Sequence, residues 1–130
     1  AVEPPAPDLS DLDSLVARVR EADIPVTLSV SGAVTAVPRD VQRAAYRVVQ
    51  EALTNVMRHA QSATTVSVDA LQASLEIEVT NVPSSNASGR ATGEGRGILG
   101  MRERVAAYRG TSEIGPTLEG GYRVWVRFPL

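Results

Sequence analysis

The sequence predicts a two-layer α/β sandwich, in which a mixed, mostly antiparallel sheet is covered on one face by about three helices. Three observations carry that expectation. Four segments alternate apolar and polar residues strictly, two longer segments carry apolar residues at helical spacing, and the length suits one domain with one core. Strands with a single apolar face need a helical layer to bury it, and only on that side.

The elements follow in order. Ala1 to Asp8 is a Pro-rich lead with little to pack, and it reads as continuing from a longer natural chain; the domain proper is expected over 9–130. Leu9 to Ala22 places Leu12, Leu15, Val16 and Val19 on one helical face. Val26, Leu28 and Val30 alternate with Thr27 and Ser29 as a first strand. Arg39 to Ala60 is the strongest helix, with Ala45, Val49, Ala52, Leu53, Val56 and Ala60 on one side. Val66, Val68 and Ala70, then Leu75, Ile77 and Val79, give two more strands. After a Ser/Asn/Gly-rich stretch, Ile98 to Arg109 forms another helix. A short strand near Ser112 to Ile114 pairs with the last one, Tyr122 to Phe128, through the turn at Glu119-Gly-Gly121. No internal repeat is evident.

Composition removes several function classes. There is no cysteine, so disulfides and thiolate metal sites are excluded. The one histidine, His59, rules out a multi-histidine metal centre. Every basic residue is arginine, and thirteen of them against fifteen acids leave a net charge of -2, whereas a nucleic-acid-binding domain is usually basic. The strand face of Arg123, Trp125 and Arg127 offers a single aromatic, which is no stacking platform. No apolar run approaches the roughly 20 residues that cross a bilayer, and no signal sequence stands at the start, so a soluble piece is expected.

Two clusters carry chemistry. On the Arg39 to Ala60 helix, Glu51, Asn55, Arg58 and His59 fall within a roughly 100° arc opposite the apolar side. Asn is a poor residue for a helix interior, and at position 55 it has no cap to serve. Downstream, Gly93, Gly95, Gly97 and Gly100 precede and open the Ile98 to Arg109 helix. Glycines let a backbone approach a polyanion, positive φ included, and the free N–H groups of a helix start suit phosphate. As the dinucleotide-binding fingerprint, the string Gly95-x-Gly97-x-x-Gly100 is in the wrong place, because it does not directly follow a strand.

Together the two clusters resemble the GHKL ATPase superfamily, specifically the catalytic ATP-binding domain of sensor histidine kinases of the nitrate-sensor type. The matching strings are Tyr46-Arg-Val-Val-Gln-Glu51-Ala-Leu-Thr-Asn55-Val-Met-Arg58-His59-Ala60 for the N box and Gly95-Arg-Gly97-Ile98-Leu99-Gly100-Met-Arg-Glu-Arg104-Val for a glycine-rich box. Gly120-Gly-Tyr-Arg-Val-Trp-Val-Arg-Phe-Pro129 matches the closing strand. The likeness runs from about Leu12 to Pro129.

The resemblance implies a Bergerat-type fold that binds Mg-ATP and donates the γ-phosphate to a histidine. Asn55 would ligate Mg²⁺, Glu51 would orient a water or the ion's shell, and Arg58 and His59 would face phosphate oxygens. Gly93, Gly95, Gly97, Ile98, Leu99 and Gly100 would contact ATP, with about 83–97 as its lid. His59 is not the phosphoacceptor, which in the family sits on another helix among acidic residues. The family's adenine-reading Asp is missing; Asn81 stands in its place, able to accept from the adenine amino group and donate to a ring nitrogen. Partners would be the histidine-bearing dimerisation domain of the same parent protein and, through it, a response regulator. The place would be cytoplasmic, free or as part of a membrane-anchored sensor. The alternatives are an anti-sigma-factor type serine kinase of the same fold and a non-catalytic nucleotide-binding scaffold.

Overall fold

The computed structural model describes residues 5–84 and 95–130. A 3-10 turn, Leu9–Asp11, leads into α1, Leu12–Glu21. Then come β1, Val26–Gly32; α2, Arg39–Asn55; a π turn, Val56–Ala60; β2, Thr64–Ala70; β3, Ser74–Asn81; α3, Gly95–Ala107; β4, Thr111–Pro116; and β5, Tyr122–Pro129. The sheet order is β1-β2-β3-β5-β4. β1 and β2 run parallel and the remaining neighbours antiparallel, so the sheet is mixed and mostly antiparallel as expected.

The two-residue period of the strands decides the layers. On one face the rows Val66–Val79–Val124, Val68–Ile77–Val126 and Ala70–Leu75–Phe128 run across β2, β3 and β5. Apart from the half-buried Ala70, these side chains are buried, and they meet Val48, Val49, Ala52 and Leu53 of α2 and Met101 and Val105 of α3 in one core. On the other face Arg123 reaches Glu78 at 2.6 Å and Glu113 at 3.2 Å, and lies 5.9 Å from the Trp125 ring. That face needs no cover because its charges are paired at the water boundary. Val30 keeps the core-side phase opposite Val68, yet it is 47% exposed. The edge strand runs out beyond the helical layer there.

Two helix limits differ from the sequence expectation. The helix expected to reach Ala60 is regular only to Asn55, after which the winding loosens and Gln61 N–H donates to Val56 O at 2.7 Å, an i to i−5 bond. Gln61 closes the turn in the left-handed region, with φ of 49°. At the other site, α3 starts at Gly95 rather than Ile98, which puts Gly95 and Gly97 inside its first turn.

The proline-rich lead ends in a working cap. Asp8 accepts from Ser10 N at 2.8 Å and Ser10 Oγ at 2.7 Å, while Asp11 Oδ2 accepts from Asp8 N at 2.9 Å, a reciprocal capping box. Arg39, at the head of α2, lies 3.6 Å from the same carboxylate. The Ser10 hydroxyl, then the Ser10 amide, hold the Asp8 carboxyl below its ordinary value of 3.8. Asp8→Ala should therefore lower the unfolding free energy at pH 7 by about 1 kcal/mol in urea titrations, the usual worth of an N-cap. Since the folded pKa is depressed, this contribution is present above the ordinary value and lost as pH falls through the folded one. Below that range, parent and variant curves should converge.

Candidate functional site

The site forms where the end of α2, the π turn, the last residues of β3 and the β4–β5 hairpin meet. Asn81 follows Leu75, Ile77 and Val79 in the same two-residue phase, so it arrives on the core face and is 7% exposed. Its rung, Thr64–Asn81–Tyr122, is the polar end of the otherwise apolar rows. A cavity of about 240 Å³ opens beside it. Ala52, Val56 and Ala60 wall it from the helix, Val79 and Val124 from the sheet, and Pro116, Gly120, Gly121 and Tyr122 from the hairpin. Asn55, His59, Asn81 and Ser84 supply its polar groups. Drug-sized ligands take about 300–1,000 Å³, so this slot suits one flat part of a larger molecule.

Gly121 is needed here for its lack of a side chain. A Cβ at that position would run into the backbone carbonyl of Asn81, so β5 can close on the end of β3 only with glycine there. In the hairpin, Gly121 N donates to Thr117 Oγ1 at 2.9 Å.

The four polar residues of the helix do not act as one group. Asn55 and His59 line the cavity. Arg58 is exposed and lies outside it, since neighbours along a helix point about 100° apart and His59 takes the cavity side. Glu51, one turn before Asn55, faces the start of α3 instead: a Cβ built on Gly97 would lie 2.6 Å from Glu51 Oε2. A carboxylate beside a helix start is well placed against the dipole. Gly97 itself has no positive φ, so it is glycine for room and not for backbone conformation. Gly95 opens α3, and a side chain on Gly100 would meet nothing within 4 Å. Ile98 packs on the core while Leu99 is 57% exposed. Gly93 and most of the expected lid, residues 85–94, lie outside the described residues.

Two polar atoms define what the site can do. Asn55 Nδ2 is buried without a hydrogen-bond partner among the described residues, which is costly unless something fills the gap. Asn81 Nδ2, by contrast, donates to Val82 O at 3.0 Å and to Ser62 Oγ at 3.3 Å. Both amide hydrogens are thus occupied, and the expected donation from Asn81 to a ring nitrogen is not available. Its acceptor role remains. Ser62, the apolar walls and the Gly120–Tyr122 turn carried no recognisable chemical signal in the sequence, since their part depends on tertiary contact alone.

Among the described residues no group of three or more His, Cys, Asp or Glu could hold a metal. Asn55 and Glu51 nevertheless supply two hard oxygen donors one helical turn apart. That is as many as Mg²⁺ commonly takes from protein when phosphates and water complete its octahedron. The residues fit the ion on those terms. No described helix is long and apolar enough to cross a membrane.

Comparison with known proteins gives the family and the fold. Residues 40–130 match the family model described as histidine kinase-, DNA gyrase B-, and HSP90-like ATPase. The sensor histidine kinase YxjM of Bacillus subtilis (strain 168) is 30% identical over 124 residues, 94% of this chain and 30% of that protein. The oxygen sensor histidine kinase NreB of Staphylococcus carnosus (strain TM300) is 31% identical over 100 residues, 70% of this chain and 27% of its own. The chain thus spans less than a third of either relative's length. In fold, it superposes on the histidine kinase domain of the Erythrobacter litoralis EL346 blue-light activated kinase with a TM-score of 0.68 at 17% identity, covering 100% of this chain and 71% of that one. The Acinetobacter baumannii histidine kinase AdeS gives 0.67 at 13%, covering 92% and 61%. With the family model matched over most of its length and the fold shared, this chain belongs to the histidine kinase-, DNA gyrase B- and HSP90-like ATPases.

Proposed function

We propose that residues 9–130 are the ATP-binding catalytic domain of a sensor histidine kinase, acting in the cytoplasm. The domain binds Mg-ATP and donates the γ-phosphate to a histidine on a dimerisation domain of the same parent protein, from which a response regulator is served. The observation that carries this reading is the unpartnered amide of Asn55, buried at the wall of an apolar slot that also holds Asn81 and His59.

The apolar walls take the adenine ring and exclude water from it. Asn81 accepts from the adenine amino group. His59, at the same wall as Asn55, faces the phosphates, and the exposed Arg58 meets phosphate oxygens outside the cavity. The first amides of α3, from Gly95 to Ile98, have no partner within their own helix and donate to phosphate oxygens. Leu99 and Gly100 continue that backbone surface, and Gly93 lies in the segment of about 83–97 that closes over the nucleotide. Asn55 and Glu51 hold Mg²⁺, which when bound neutralises phosphate charge. Glu51 further orients the water around it. Phosphoryl transfer asks little more of a protein than such positioning and charge compensation.

Asn55→Ala should leave the melting temperature unchanged or slightly raised, because it removes a buried amide that has no partner. Affinity for Mg-ATP should fall by about 10- to 100-fold, the worth of a contact to a charged group. Calorimetric titration beside thermal melts measures both, and parental affinity would refute the assignment.

Gly97→Val sets methyl groups against the Glu51 carboxylate, a flexible tip that can swing away, so folding should survive. Nucleotide affinity should drop by more than about tenfold as the space at the helix start fills. A titration curve matching the parent's would show that this turn does not receive phosphate.

A further inference from the structure

Asn81 is held by two neighbours that can only accept from it. Val82 O is a backbone carbonyl, 3.0 Å from Asn81 Nδ2. Ser62 Oγ lies 3.3 Å from the same nitrogen, and the single hydroxyl hydrogen of Ser62 is already donated to Val82 O at 2.8 Å. Toward Asn81 the serine therefore presents a lone pair. Either neighbour alone would favour the nitrogen end of the carboxamide; together they fix which way round it sits, by chemistry rather than by shape. The frame behind them is firm. Thr64 Oγ1 donates to Ser62 O at 2.8 Å and Val82 N donates to Ala63 O at 3.0 Å, tying the approach to β2 to the end of β3.

We infer that Ser62 is a positioning residue for nucleotide selection: with Val82 O it locks Asn81 as an acceptor-only group that selects a purine bearing an exocyclic amino group. The inference rests on the nucleotide-binding reading above and adds the residue that sets its base specificity. A freely turning carboxamide reads donors and acceptors alike, whereas a locked one imitates a carboxylate without its charge. The same trio accounts for asparagine in place of aspartate. A carboxylate at position 81 would set a second oxygen against Val82 O, with no hydrogen between them.

The test is calorimetric titration of the chain with Mg-ATP and with the magnesium complex of purine riboside triphosphate, in which hydrogen replaces the amino group. The parent should prefer ATP. Ser62→Ala removes one of the two acceptors that hold the amide, leaving Val82 O alone to orient it, and should reduce that preference by up to about tenfold, with affinity for the purine analogue nearly unchanged. Ser62→Thr keeps the hydroxyl and should restore the preference. Asn81→Asp should melt lower than the parent and bind ATP no more tightly, an arm that stands even where Ser62→Ala does not fold. A preference for ATP that survives intact in Ser62→Ala overturns the role of Ser62 alone, as does an Asn81→Asp variant that gains affinity at undiminished stability. A parent that binds ATP and the analogue equally overturns the acceptor role of Asn81. A parent that binds neither overturns the nucleotide reading itself, and this inference with it.

Discussion

The seating of α2 against the sheet is the constraint on which the rest depends. A helix can bury only one stripe, and α2 commits Val41, Ala45, Val48, Val49, Ala52 and Leu53 to the core. Its remaining arc is thereby turned toward α3 and the end of β3, where Asn55 and His59 join Asn81 at the cavity. The sheet cooperates through its own period, which carries the polar rung Thr64–Asn81–Tyr122 to the same end of the molecule. Small side chains make the arrangement possible. Valine and alanine let helix and sheet approach closely, and the aromatic groups are few: Phe128 is fully buried, with Tyr108 packed edge-on to it at 6.3 Å.

Much of the fold was legible because it rests on periodicity. Leu75, Ile77 and Val79 could be read as one face of a strand before any contact was known, and the two glycines before Tyr122 announced the final hairpin. Asn55 was legible for a different reason: asparagine deep in a helix is unfavourable, so its presence asks for an explanation. What stayed hidden was tertiary. Nothing in Val56-Met-Arg-His-Ala60 departs from a good helical pattern, yet the winding loosens there. Ser62 looks like any loop serine until the end of β3 is placed beside it. The donor half of Asn81 could not be known as occupied, because both of its acceptors come from folding.

Charge is handled differently on the two sides of the sheet. On the outer face the guanidinium of Arg123 is shared between Glu78 and Glu113, and Arg127 stands 3.9 Å from Glu76. Such exposed pairs contribute little stability, on the order of 0–1 kcal/mol each, but they leave the face without a strong field of either sign. On the inner face the polar groups at the cavity include the neutral amides of Asn55 and Asn81. A neutral acceptor binds less strongly than a charged one and is far cheaper to bury, which suits a position only 7% exposed.

The π turn at Val56–Ala60 has a consequence for how this chain is compared with others. An i to i−5 bond encloses one residue more than an α-helical one, so the segment holds one residue more than regular α winding would over the same turn. Sliding this sequence over a regularly wound one without a gap would then match each side chain after Asn55 to a neighbour pointing about 100° away. Columns that look identical through Arg58, His59 and Ala60 can thus pair residues that occupy different places in space, and a one-residue offset inside a helix, where gaps are seldom allowed, would be the truer correspondence.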